Sequence, residues 1–320
     1  MARQHILVTG GAGFIGSHLV ERLLAEGHRV VVIDDLSTGR LSNLKAVTRH
    51  PELRIRIERV SDCRDLPRLA RQAHCIYHLA AAVGVQLVAR FPIRTIHTNL
   101  RETEALLAAA SRGQTPVLLA STSEVYGKSG KPLFSETDDL LIGPPNFGRW
   151  SYACSKLMDE FLAMAYAQER GLPVVVARLF NTVGPRQTGR FGMVLPRLVA
   201  AARAGKPLEV YGSGRQTRSF CWVGDTVEAL VRLQNLPAAR GLVVNIGGTE
   251  EISILDLARR VRQACGSRSI IKRIPYRRVF PGDFEDLQHR CPDLRRLRRL
   301  TGFRPRTPLA EIIRRLVVET

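Results

Sequence analysis

The run "VTGGAGFIGSHL", Val8 to Leu19, limits the fold more than any other part of the chain. It sets Gly10, Gly13 and Gly16 at intervals of three, with Phe14 and Ile15 between the last two. An apolar strand pattern, "HILVT", precedes it, and a helical pattern, "GSHLVERLLAEG", follows. A strand that passes into a helix through a glycine turn exposes free N–H groups and the positive end of a helix dipole, and the glycines let a pyrophosphate approach the backbone. Asp34 follows at the end of the second strand, in "VVVIDD". A carboxylate there accepts from both ribose hydroxyls and repels a 2′-phosphate, so the spacing favours NAD over NADP.

The same alternation continues downstream. "RIRIERV", "CIYHLAA" and "PVLLAST" are short apolar segments, separated by helical patterns such as "RTIHTNLRETEALLAAASRG". Strands alternating with helices predict an α/β chain with a Rossmann-type, doubly wound parallel sheet. "PVVVARLF", Pro173 to Phe180, and "LVVNIGG", Leu242 to Gly248, extend that sheet. Long helices are expected over 151–170 and 253–265. Residues 1–180 read as the NAD-binding domain and 181–320 mostly as a smaller substrate-binding lobe, with a returning strand at about 242–248 that joins the Rossmann sheet. Asp62, ending the third strand, reads as an acceptor for the adenine amino group or as a plain loop carboxylate. Ala80, in "HLAAA", lies where backbone passes close to a cofactor, and His78 beside it reads as a structural histidine. Asn99 falls inside a helix, in a buried hydrogen-bonded role or a catalytic one.

Composition narrows the function classes. Apolar residues make up 45% of 320, enough for a sizeable core. No apolar run approaches the roughly 18 residues of a membrane helix, and "MARQHILVTGG" carries no charged-then-apolar leader pattern. A soluble, cytoplasmic protein is expected. The six cysteines have no metal-ligand spacing, so reduced thiols and no metal site are expected. The formal net charge of +19 comes mostly from arginines spread along the chain. Base-reading motifs are absent, so the charge points to solvated surface and an anionic small molecule rather than nucleic acid.

Two further stretches carry chemistry. "SYACSK" places Tyr152 and Lys156 four apart, on one helical face. An ammonium beside a phenol lowers the phenol pKa, and the phenolate then takes a proton from a substrate hydroxyl as hydride leaves the same carbon. Cys154, between them, reads as packing. "STSEVYG", at the end of the fifth strand, offers Ser121, Thr122 and Ser123 as hydrogen-bond partners for the reacting hydroxyl, and a carboxylate, Glu124.

With "TGGAGFIGSHL", "DDLSTG", "HLAA", "RLFNTVGPR", "VYGSGRQTRSF", "VNIGG" and "GFRPRTPL", these stretches resemble the extended short-chain dehydrogenase/reductase superfamily, in particular its nucleotide-sugar epimerases, dehydratases and decarboxylases. The resemblance spans nearly the whole chain. It implies a UDP-linked sugar substrate, oxidised at C4 with a tightly held NAD, and a homodimer built on a four-helix interface. It also implies substrate contacts at Asn181 and Arg218 for the diphosphate, and at Val210 and Tyr211 for the uracil.

The reaction outcome turns on Ser123 and Glu124. Dehydratases of the superfamily show Asp-Glu there, and many 4-epimerases show small residues at the second position. Ser-Glu is similar to the UDP-glucuronate decarboxylases, as is the "GRWSYACSK" run. "QHRCPDLRRL" resembles their Arg-x-Pro segment and implies a catalytic Arg290 that orients the sugar carboxylate. A salt bridge between Glu124 and Arg290 would explain both residues without chemistry. UDP-glucuronate decarboxylation is therefore the leading expectation. UDP-sugar 4-epimerisation, 4,6-dehydration and a non-catalytic NAD-binding regulator remain as alternatives.

Overall fold

The computed structural model describes residues 3–84, 88, 90–187, 193–280 and 286–319. In chain order the elements are β1 (His5–Thr9), α1 (Phe14–Ala25), β2 (Arg29–Ile33), β3 (Leu53–Arg56), α2 (Leu66–Gln72), β4 (Cys75–His78), α3 (Pro92–Ser111), β5 (Val117–Thr122), α4 (Arg149–Arg170) and β6 (Val174–Leu179). They continue as β7 (Thr182–Val183), α5 (Val194–Arg203), β8 (Leu208–Tyr211), β9 (Thr217–Ser219), β10 (Cys221–Trp222), α6 (Val223–Gln234), β11 (Leu242–Ile246), β12 (Glu251–Ser253), α7 (Ile254–Ala264), β13 (Ile271–Ile274), α8 (Arg295–Thr301) and α9 (Leu309–Glu319).

Seven strands form one sheet in the order β11-β6-β5-β4-β1-β2-β3, every pair parallel. Its strands are apolar on both faces, as a sheet covered by helices on both sides requires. Ile6, Val8, Tyr77, Leu118 and Val175 face one layer, with Leu19 and Leu23 of α1 and Val227 and Leu230 of α6. Leu7, Ile76, Val117, Leu119 and Val176 face the other, with Leu106 and Leu107 of α3 and Ala163 of α4. Each such fully buried aliphatic side chain contributes about 1.5–3 kcal/mol. Strand order reverses between β1 and β4, which opens a crevice at their carboxyl ends, where ligands of such sheets bind.

A third core belongs to a smaller lobe, where Leu195 and Leu198 of α5, Leu257 and Val261 of α7 and Ile312 and Leu316 of α9 enclose Leu208 and Val210 of β8. The chain shuttles between the lobes after β6. Besides β11, helices α6 and α8 pack onto the Rossmann layer, through Val227, Leu230 and Leu297. They cover a sheet face that α1 alone leaves open.

Candidate active site

A cavity of about 330 Å³ lies over the crevice, lined by the glycine turn, the ends of β2, β4 and β5, the start of α4, and Asn181 and Arg290 from the second half of the chain. Its nucleotide end is built from backbone. Gly10 has φ +72°, and a Cβ there would stand 2.7 Å from the Ala80 nitrogen, so β1 and β4 turn apart with no room for a side chain. A Cβ at Gly16 would collide with the Gly10 carbonyl. Gly13, by contrast, has only the Gly10 oxygen at 3.1 Å beside its missing Cβ and begins α1 with no side-chain cap. The helix N–H groups are therefore open to the cavity. Asp34 is buried there, accepting from the Ala12 N–H at 2.9 Å and the Leu36 N–H at 2.8 Å. Burial raises its pKa, and these two N–H groups oppose the rise. The open helix end and the anchored carboxylate fit a dinucleotide.

Gly10, Gly13, Phe14, Ile15, Gly16, Asp34, Ala80 and Lys156 all line this cavity. Asp62 does not. Its side chain is half exposed and pairs with Arg101, while Glu58, Arg59 and Val60 line the adjoining wall. Asn99 is buried, accepting from the Ala82 N–H at 2.8 Å and donating to Ser155 Oγ at 2.9 Å, which ties the β4 loop to α4.

At the reaction end, α4 presents Tyr152 and Lys156 to the cavity. Trp150, 2% exposed, anchors the start of this helix in a small cluster with Ala153 and Leu287. Gly143 leaves the space its indole needs. Burial raises the Tyr152 phenol well above its ordinary value, Glu124 adds to the rise, and a hydrogen bond with the Thr122 side chain opposes it. Thr122 lines the cavity; Ser123 does not. Ser123 is fully buried and accepts from Arg290 Nε at 3.0 Å. Ser121 donates to Glu160, itself paired with Arg178 at 2.7 Å. The hydroxyl facing the phenol is thus that of Thr122. Cys154, expected to pack, is exposed instead.

Beside the phenol lies a buried chain of charges. Glu124 pairs with Arg290 at 2.7 Å and with Arg149 at 3.1 Å. Arg149 and Arg218 both reach Asp286, at 2.9 and 2.7 Å, and Tyr276 donates to the same carboxylate at 2.7 Å. Burial works against the Glu124 charge, yet Arg149, Arg290 and Arg218 outweigh it and hold the carboxyl below its ordinary value. The salt bridge between Glu124 and Arg290 is present, and it stands in the cavity wall. Among the described residues, this cluster sets three guanidiniums against two carboxylates, which leaves one positive charge in excess. Burying such groups is costly unless they are paired, as these are with one another.

The remaining expected substrate contacts divide. Asn181 lines the cavity and donates to the Ser219 carbonyl at 2.8 Å. Val210 is sealed in the small-lobe core, Tyr211 stacks on Arg197 at 4.1 Å, and Arg218 is held by Asp286 and the Leu287 carbonyl. None of these three lines the cavity. Thr188 to Gly192, within the loop "GPRQTGRFGMV", lie outside the described residues, while Gln187 and Met193 on either side line the cavity. Sequence reasoning missed Arg149 and Asp286. Arg149 had a signal, three residues before Tyr152 and so on its helical face. Asp286 had none, because Arg149 and Arg218, its partners, lie far away along the chain.

The GDP-mannose 4,6 dehydratase family profile matches residues 7–316. The chain belongs to that family, a branch of the extended short-chain dehydrogenase/reductase superfamily. It is 41% identical to the UDP-N-acetyl-alpha-D-glucosaminuronate decarboxylase of Bacillus cytotoxicus, over 95% of this chain and 93% of the relative. It is 36% identical to UDP-glucuronic acid decarboxylase 1 of Danio rerio, over 97% of this chain and 71% of the relative. Among solved structures, the UDP-glucuronic acid 4-epimerase from Bacillus cereus, in complex with UDP-glucuronic acid and NAD, superposes with a TM-score of 0.88 at 29% identity, covering 98% of each chain.

Proposed function

We propose that this family member is an NAD-dependent decarboxylase of a UDP-hexuronate, UDP-glucuronate or its 2-acetamido relative, that forms a UDP-pentose. The observation that carries the reading is the placement of Arg290, Arg149 and Glu124 in the same cavity wall as the Tyr152–Lys156 pair. Two relatives named as decarboxylases, at 41% and 36% identity, support it. Gly10, Gly13, Gly16, Asp34 and Lys156 would hold NAD, which when bound supplies hydride acceptance and return at sugar C4.

Tyr152 takes the proton of the C4 hydroxyl, with Thr122 steadying the phenol. Oxidation at C4 places the C5 carboxylate β to a ketone. The bond to that carboxylate then breaks with its electron pair drawn into the carbonyl, carbon dioxide leaves, and C5 takes a proton from water. Arg290, on exchanging Glu124 for the substrate carboxylate, orients the breaking bond. Glu124, kept ionised by its arginines, serves as acceptor or base and not as an acid. Ser123 stands where a dehydratase of the superfamily shows Asp, which disfavours loss of the C6 hydroxyl. A 4-epimerase is the second reading, favoured by the likeness to the Bacillus cereus epimerase. Incubation with UDP-glucuronate and its 2-acetamido analogue, followed by mass spectrometry and NMR, separates them. Loss of carbon dioxide is expected; a mass-neutral product would establish epimerisation instead.

A homodimer belongs to the same proposal. Ile93 and Ile96 on α3 are 73% and 37% exposed, and Met158 and Phe161 on α4 are 53% and 63% exposed. Pairs three apart on two neighbouring helices suit a four-helix interface with a second copy. Phe161→Glu is expected to give a monomer by sedimentation, and a variant that sediments as the wild type would place the interface elsewhere. No helix among the described residues is long and apolar enough to cross a membrane. The six free thiols support a reducing compartment such as the cytoplasm. The positive charge serves a small anionic substrate in preference to nucleic acid.

A further inference from the structure

Lys156 has an unexpected neighbour. Its Nζ donates to Asp159 Oδ2 at 2.7 Å, and the two side chains are 2% and 0% exposed. They lie three apart on α4, so the carboxylate is presented to the ammonium by the helix itself. From α3, Thr103 acts to favour the Asp159 anion, while Asp159 Oδ1 is buried with no hydrogen-bond partner among the described residues. Thr103 Oγ1 lies 3.2 Å from His78 Nε2, His78 Nδ1 lies 2.7 Å from Thr9 Oγ1, and Thr9 Oγ1 takes the Ala80 N–H at 3.4 Å.

The chemistry of the ring limits the directions of these bonds. Burial drives the His78 pKa down to about 3, with Lys156 adding to the effect, so the ring is neutral and donates through one nitrogen only. Of its two threonine partners, Thr9 and Thr103, one therefore accepts from the ring and the other donates to it. Burial raises the Asp159 carboxyl, and Lys156 and Thr103 act against that rise to favour the anion.

We propose that Asp159 is a positioning residue of the hydride-transfer site: it fixes the Lys156 ammonium and sets a second negative charge, beside that of Glu124, against the Tyr152 phenol. The proposal rests on the reading that Tyr152 is the base. The phenol faces Glu124 from the turn after β5 and Arg290 from the segment before α8, with Arg149 on its own helix; Asp159 faces Thr103 from α3 and has Glu160 beside it, while His78 on β4 faces Lys156 through its charge. Burial raises the phenol most, Glu124 and Asp159 add to the rise, and Thr122 and Arg290 oppose it. Two carboxylates thus oppose phenolate formation, and removal of one favours it.

The test is the acid limb of product formation against pH, on which activity rises as Tyr152 loses its proton. Asp159→Asn keeps the shape and removes the charge. Its limb is expected to move toward acid by about one pH unit, which gives about five-fold more activity one unit below the wild-type midpoint. Asp159→Glu is expected to keep the wild-type midpoint. A uniform loss of activity with no displacement, or a displacement toward alkaline pH, would overturn the proposal and leave Asp159 a structural counter-ion. If Asp159→Asn does not fold, the tyrosinate absorbance of wild type minus Tyr152→Phe replaces it. Ionisation of Tyr152 above the ordinary phenol value in cofactor-free protein is expected, and ionisation below that value would overturn the proposal. The absorbance titration needs no turnover, so an inactive wild type would count against the function and not against Asp159.

Discussion

Tyr152→Phe is expected to lower decarboxylation by about 10²–10⁴-fold, the range lost with a positioned general base. The ring, and with it the packing at the start of α4, is retained. Thr122 also keeps a partner, because its Oγ1 accepts the Glu124 N–H at 3.2 Å. Bound NAD and thermal stability should therefore match the wild type, measured by cofactor release on denaturation and by calorimetry. Turnover within a few-fold of wild type would remove Tyr152 from the chemistry and, with it, the assignment of the cavity as a hydride-transfer site.

Arg290→Ala is expected to cost about 10²-fold in decarboxylation, the worth of one charge-assisted hydrogen bond to a carboxylate. Two effects must be separated. Glu124 loses the nearer of its two arginines and Ser123 loses a donor, so stability falls as well, by about 3–5 kcal/mol for a broken buried pair. Assay well below the variant's melting temperature isolates the chemical effect. NAD binding should persist, because Arg290 lies at the far end of the cavity from Asp34 and the glycine turn. Arg290→Lys should restore part of the rate, since it returns the charge without the planar fork. Equal losses of cofactor binding and turnover in Arg290→Ala would mean that its role is structural.

Much of this site is legible in the sequence. Gly10, Gly13, Gly16, Asp34, Tyr152 and Lys156 announce themselves because their geometry is local. A turn, a strand end and one helical turn each fix where a side chain goes within a few residues. Asp159 was equally local, three residues past Lys156, yet it passed unnoticed because a carboxylate on a helix face is ordinarily solvated. Only burial makes it an unusual neighbour for the Lys156 ammonium. Val210, Tyr211 and Arg218 carry a recognised motif, yet none of them lines the cavity: Val210 lies in the small-lobe core and Arg218 pairs with Asp286.

The sequence by itself determined the parallel sheet, the dinucleotide turn and the phenol–ammonium pair, since periodicity and short spacings dictate them. The tertiary structure alone decided which charges meet. Glu124 leaves the end of β5, Arg149 opens α4, and Asp286 and Arg290 arrive from a segment more than a hundred residues later. Their ion pairs form only where the packing of two lobes brings those segments to one wall. Pairing across such separations is set by the whole core and by the desolvation of each charge, neither of which is written in any one stretch of the chain.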